Sequence, residues 1–149
     1  MGYIRFEKGL MTNLEETLPK ELLRTNRSGA YSCSSILDCN TRKYHGLLVV
    51  PIPEIDDENH VLLSSLDVSV IQHGAEFNLG LHKYRGNIFS PNGHKYIREF
   101  NCDKVPTTLY RVGGVVLKKE VVFQHFEDRI LIRYTLEDAH SDTKLRFKP

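Results

Sequence analysis

The sequence predicts an all-β protein: an antiparallel β-sandwich with one short N-terminal helix. Three observations predict it. Apolar and polar residues alternate with period two through several short segments, the pattern of half-buried strands. Glycine-bearing turns separate those segments at short intervals, Gly113-Gly114 most clearly. Helical spacing is confined to one place near the N-terminus, where Leu14 and Leu18 share a face. The 149 residues read as one domain, 1–149. A chain of that size removes roughly 68–70% of its unfolded surface from water.

Taken in order, Thr12-Asn13-Leu14-Glu15 has the form of a capping box, with Thr12 as cap, Glu15 reaching back and Pro19 ending the helix. Residues 25–29 are turn-like, and 31–37 form a Ser-rich strand bounded by Asp38-Cys39-Asn40. Leu47-Leu48-Val49-Val50 is a continuous apolar run, as expected of a strand covered on both faces, and Pro51 closes it. Glu54, Asp56, Asp57 and Glu58 read as a solvated connector rather than a metal site. Residues 60–71 alternate as one long strand, with Leu62, Leu66, Val68 and Val70 on one face and Ser65, Asp67 and Ser69 on the other. His73-Gly74 signals a hairpin, and Phe77, Leu79 and Leu81 continue beyond it.

Residues 83–90 show no period, and Pro91-Asn92-Gly93 predicts a tight turn with positive φ. A strand over 96–100 follows, then two strands over 107–112 and 115–123 around Gly113-Gly114. After a Glu127-Asp128 turn, Ile130, Ile132, Tyr134 and Leu136 again alternate. Leu145 and Phe147 alternate with Lys144, Arg146 and Lys148, so a strand is under way where the sequence stops. The chain is therefore expected to be a fragment of a longer protein, with roughly eight to eleven strands.

Bulk properties narrow the function. Net charge is +1, which makes no field to gather nucleic acid or anionic lipid. No apolar run approaches the ~20 residues that cross a bilayer, and the N-terminus lacks a secretory signal's apolar core. Cys33, Cys39 and Cys102 are odd in number and not closely paired, so reduced, mostly buried thiols in a cytoplasmic protein are expected. The seven histidines include no His-x-His or His-Glu-x-x-His pair for zinc. There is no Gly-x-Ser-x-Gly elbow, and Gly80 and Gly86 lack a phosphate loop's spacing. No metal or cofactor is expected, and no complete active site is legible.

One stretch stands apart. Asn40-Thr41-Arg42-Lys43-Tyr44-His45-Gly46 passes from a polar corner into the Leu47–Val50 strand. Arg42, Tyr44 and His45 are donor-rich side chains where a turn meets a rigid element, the setting of a site-bearing loop. The alternative is that Arg42 and His45 satisfy turn carbonyls while Tyr44 packs.

Asn40-Thr41-Arg42-Lys43-Tyr44-His45-Gly46-Leu47-Leu48 is preceded by Thr25-Asn26 and Gly29-Ala30-Tyr31-Ser32 and followed by Leu62-Leu63-Ser64-Ser65-Leu66-Asp67. In order and spacing this resembles the N-terminal domain of the bacterial and archaeal type of glycogen debranching enzyme, the amylo-α-1,6-glucosidase family. The chain departs from the family pattern with Arg27-Ser28 in place of Gly-Leu, and with Ala30 for the second glycine of a pair. The resemblance implies a β-sandwich whose parent hydrolyses α-1,6-linked glucose at branch points of glycogen or related α-glucans. It places catalysis in a C-terminal α/α toroid that this chain does not contain. That toroid and the α-glucan are the implied partners, and the chain alone is expected to be inactive. Asn26, Thr41, Arg42, Tyr44, His45 and Asp67 are then the candidates for the substrate rim or the domain interface. Glycosidic hydrolysis needs two flanking carboxyls. Asp38, Asp67, Glu76, Glu99, Asp103, Glu120 and Glu127 were the residues available for it. Asp67, set among apolar neighbours, is expected to need a donor such as Arg42 or Tyr44. The rival reading is a free-standing carbohydrate-binding or protein-interaction sandwich, disfavoured for sugar binding by the absence of Trp.

Overall fold

The computed structural model describes residues 4–149. The first three residues of the polar N-terminal segment lie outside the described residues. The chain begins with β1 (Ile4–Glu7) and two single-turn helices, α1 (Lys8–Met11) and α2 (Leu14–Thr17). Next come β2 (Glu21–Thr25), β3 (Tyr31–Ser35), β4 (Gly46–Pro51) and β5 (Asn59–Leu63), an antiparallel meander in that order. Two hairpins follow: β6 (Asp67–Gln72) with β7 (Ala75–Asn78), and the small β8 (His82–Tyr84) with β9 (Ile88–Ser90). After a turn of 3₁₀ helix (Gly93–Tyr96) come β10 (Ile97–Cys102), β11 (Pro106–Val112), β12 (Val115–Phe123) and β13 (Ile130–Asp138). Finally β14 (Lys144–Lys148) returns to pair with β6.

The sandwich follows from which faces are apolar. One layer is the five-stranded sheet β1-β10-β11-β12-β13, all antiparallel. Alternate residues of β11 and β12, namely Tyr110, Val112, Val115 and Leu117, turn inward and are almost wholly buried. They meet Val68 and Val70 of β6, with Leu145 and Phe77 beside them from the sheet β14-β6-β7. Met11 of α1 closes one end of this core and is 0% exposed. A second, smaller cluster of Ala30, Val50 and Phe123 ties the four-stranded sheet β2-β3-β4-β5 to the end of β12. The Leu47–Val50 run is covered on both faces, as its unbroken hydrophobicity predicts.

The all-β sandwich stands, and several local expectations change. The N-terminal helix is present as α2, but Asn13 caps it: its Oδ1 accepts from the backbone N–H of Glu15 and Glu16. Thr12 instead ends the extra turn α1, donating its hydroxyl to the Lys8 carbonyl. Asn outranks Thr as a cap, and Thr12 had a carbonyl four residues back within reach. The single strand expected over 60–71 is two, β5 and β6, in different sheets. The break falls at Ser64, whose carbonyl accepts from Leu47 N–H and from Asn40 Nδ2, so the chain leaves one layer there and enters the other. Residues 83–90 hold the β8–β9 hairpin, too short and exposed to show a period.

Asn92-Gly93 is not a positive-φ hairpin: Asn92 has φ −101° and caps the 3₁₀ turn. Glycine is required at 93 for another reason. A Cβ there would lie 2.1 Å from the backbone carbonyl of Leu79. The hairpin tips at His73-Gly74 and Gly113-Gly114 do take positive φ at both residues, as two-residue turns demand. The described strands number fourteen, more than expected, because β1, β2 and the small pair β8–β9 were not separable from loop by pattern and the span 60–71 holds two strands.

Candidate functional site

The loop between β3 and β4 folds over one face of the four-stranded sheet, and three side-chain anchors fix it. Ser34 donates to Asn40 Oδ1 at 2.8 Å, and Asn40 Nδ2 donates to the Ser64 carbonyl at 2.9 Å. This ties the middle of the loop to β3 on one side and to the end of β5 on the other. The second anchor is His45, buried with a side chain only 2% exposed. Its Nδ1 accepts from the Thr41 backbone N–H at 3.0 Å, so its ring proton sits on Nε2 and points to Glu21 Oε1, 2.8 Å away. The third is Tyr31, whose hydroxyl donates to the Tyr44 carbonyl at 3.0 Å. Gly46 ends the loop because nothing larger fits: a Cβ would meet Val49 Cγ2 at 2.8 Å and Val61 Cγ1 at 3.2 Å.

On this base the two outward groups are displayed. Arg42 is 66% exposed, yet its Nε lies 2.6 Å from the same Glu21 oxygen that His45 contacts. Exposed ion pairs of this kind add little stability, ~0–1 kcal/mol, so what Glu21 supplies is direction. Tyr44 is 70% exposed, with the Lys43 ammonium 5.7 Å from its ring centre. Beneath the loop lies Cys33; burial raises its thiol pKa and Glu21 adds to the rise, against a smaller lowering by Arg42. Chemically this is a planar cation and an aromatic ring displayed two residues apart on one anchored loop, suited to a sugar's hydroxyls and apolar face or to a protein surface.

The other predicted residues are placed elsewhere. Asn26 is wholly buried in the β2–β3 connection. Its Oδ1 accepts from Ser28 and Ala30 N–H, and its Nδ2 donates to the Glu127 carbonyl and Asp128 Oδ1. It is a pin between loops. Arg27, standing where the family pattern has glycine, takes φ +66° all the same. Asp67 does not meet Arg42 or Tyr44; both its oxygens lie within 3.0 Å of His82 Nε2. Gly80 permits this pair, since a Cβ at 80 would come within 2.7 Å of the Asp67 carboxylate. Sequence reasoning missed Glu21, Tyr31 and His82. Glu21 carried a signal: with Leu23 and Thr25 it forms the exposed face of a period-two strand.

The carboxyls considered for glycosidic hydrolysis are largely committed. Asp38 pairs with Lys119, Asp67 with His82, Glu76 with Arg146, Glu99 with Arg5, Glu120 with Arg133 and Glu127 with Arg129. Among the described residues no group of three or more His, Cys, Asp or Glu side chains is arranged to hold a metal ion. The three cysteines are free; Cys39 is fully buried, and Cys33 and Cys102 are partly buried. No helix among the described residues is long and apolar enough to cross a membrane.

Fold and loop together define a β-sandwich domain that presents an exposed Arg and Tyr on an anchored loop, while the carboxyls considered for hydrolysis are largely held in ion pairs elsewhere. The chain belongs to the family described as glycogen debranching enzyme N terminal, which matches residues 20–149. It matches no curated protein and no solved structure.

Proposed function

We propose that this chain is the non-catalytic N-terminal domain of a cytoplasmic glycogen debranching enzyme whose catalytic domain, an α/α toroid, hydrolyses α-1,6 branch points of glycogen or a related α-glucan. The loop at Arg42, Tyr44 and His45 braces that catalytic domain and lines the rim of the glucan cleft. One observation carries the reading: Arg42 and Tyr44 are exposed on a loop whose backbone is held by the Thr41–His45 and Tyr31–Tyr44 hydrogen bonds, with Arg42 also paired to Glu21. Exposed Tyr and Arg side chains on a fixed backbone are favoured anchors for a partner because less freedom is lost on contact. Membership of the debranching family supports the choice of partner, and the free thiols suit a reducing compartment.

The test uses the parent enzyme with a branched limit dextrin. Arg42→Ala and Tyr44→Ala are expected to lower glucose release at least several-fold, while Lys148→Ala on β14 leaves it unchanged. Unaltered kinetics in both loop variants would overturn the assignment of this loop. The chain alone should release no glucose, and turnover by the pure chain would overturn the non-catalytic reading.

The exposed Tyr44 ring also favours a second reading, direct sugar binding by the domain itself. Titrating maltoheptaose against the chain separates the two. Saturable binding lost in Tyr44→Ala assigns the ring to sugar, and no binding assigns it to the domain interface.

A further inference from the structure

A separate feature lies on the opposite layer. The outer face of the five-stranded sheet carries a cavity of about 580 Å³, within the range of small-ligand sites. Its walls bring together Lys8 of α1, Lys95 of the 3₁₀ turn, Arg98 of β10 and Arg111 of β11, with Arg5 of β1 at the side. Against these five cations stand two acids, Glu7 and Glu99, in a chain whose net charge is only +1. Both acids face Arg5. Glu99 accepts from its Nε and Nη2 at 3.0 and 2.7 Å, and Glu7 lies 3.9 Å from the same guanidinium. That leaves four cations over. Among the described residues Lys8 and Arg111 form no ion pair, and the Lys95 ammonium rests 5.1 Å from the Tyr96 ring centre.

The backbone helps to gather this charge. Ile97 pairs with Tyr110 but Glu99 with Leu109, so Arg98 is the extra residue of a β-bulge. Bulges re-aim side chains in this way. Burial alone would raise the Glu99 carboxyl pKa, but hydrogen bonds from Arg5 and Asn101 and the charges of Arg5 and Arg98 bring it below the usual range. Like charges crowded on one sheet face oppose folding unless a counter-charge relieves them.

We propose that this groove binds a compact phosphomonoester, with the Arg98 and Arg111 guanidinium groups gripping the phosphate and Lys8 and Lys95 flanking it. A phosphomonoester carries about −1.5 to −2 charges and three acceptor oxygens, which matches several converging donors better than a single carboxylate does. Guanidinium forks fit phosphate oxygens two at a time. The site is concave and confined, unlike a stripe that tracks a nucleic-acid backbone. It stands on different residues from the Arg42–Tyr44 loop and does not depend on it.

The experiment is calorimetric titration of the chain with glucose 6-phosphate, AMP, inorganic phosphate and glucose. At least one phosphate ester should bind saturably, glucose should not, and affinity should fall as salt is raised. Arg98→Ala and Arg111→Ala should each weaken binding about tenfold and the double variant abolish it, with thermal melting confirming that each remains folded. Tighter binding of glucose 6-phosphate than AMP assigns a sugar phosphate, and the reverse a nucleotide. Equal affinity for inorganic phosphate assigns the phosphate group alone. Failure of every phosphate compound to bind, or binding that survives in the folded double variant, overturns the proposal.

Discussion

Lys119 lies inside the sandwich with its side chain 5% exposed, and its ammonium is bound by the carboxylate of Asp38 from the β3–β4 loop. Asp38 reaches it in a left-handed backbone conformation, φ +57°, and keeps its own side chain 38% exposed. The pair is thus lopsided: one charge is sealed in protein and the other is half in water. Tyr110 and Tyr134 border the same space.

That asymmetry predicts unequal mutants. Asp38→Asn strands a buried ammonium and should cost about 3 kcal/mol, near the low end for a broken buried pair. Lys119→Met removes the buried charge, fills similar volume and leaves Asp38 free to hydrate, so its cost should stay under about 1.5 kcal/mol. Urea unfolding of both variants checks this, and equal losses would contradict it.

The same cluster sets an alkaline limit. Burial works against the Lys119 ammonium, but Asp38 and the two tyrosines outweigh it and hold its pKa above the ordinary lysine value. Burial also raises the Tyr110 and Tyr134 hydroxyls above theirs. All three groups keep protons in the folded chain that the unfolded chain gives up from about pH 10. Their stabilisation is whole below that pH and declines above it, by up to about 1.4 kcal/mol per pH unit for each group. Melting temperature measured between pH 8 and pH 11.5 should be level at first and then fall, less steeply in Lys119→Met.

Tyr134 offers the opposite kind of test. Its hydroxyl is buried and has no hydrogen-bond partner among the described residues. Tyr134→Phe keeps the ring against Phe147, 5.3 Å away between centres, and removes the unsatisfied group. Stability should hold or rise, by up to about 1 kcal/mol in denaturant titration.

Asn26 should behave as a structural pin. Asn26→Ala would leave two backbone N–H donors and the Glu127 carbonyl without their partner. The loss should be about 3 kcal/mol, read as a drop in the urea midpoint with an unchanged slope. Asn26→Asp keeps the acceptor for Ser28 and Ala30 but sets a carboxylate against Asp128. It should lose a comparable amount at pH 7 and recover in part as the carboxyl protonates in acid.

How far the sequence speaks can be judged residue by residue. Strands with a strict period and a two-glycine or His-Gly tip, such as β11–β12 and β6–β7, were readable because local chemistry alone fixes them. The exit of the chain from one sheet at Ser64 was not, because it depends on Asn40, a residue twenty-four positions away. The Arg42–His45 loop announced itself through residue types. Its anchor Glu21 showed only as one exposed position of a period-two strand, and no local pattern records that its contacts join β2 to the β3–β4 loop. The glycines at 80 and 93 have the same origin: each answers to a neighbour far along the chain.

The family match opens at residue 20, yet Met11 and Thr17 are 0% exposed and β1 completes the edge of the five-stranded sheet. A polypeptide trimmed to the matched segment would lose a plug as well as a tail. Uncovering the socket of a buried methionine removes about 1.5–3 kcal/mol of apolar burial and bares the unpaired flank of β10 to other chains. Where this domain is cut for expression therefore decides whether it stays dispersed.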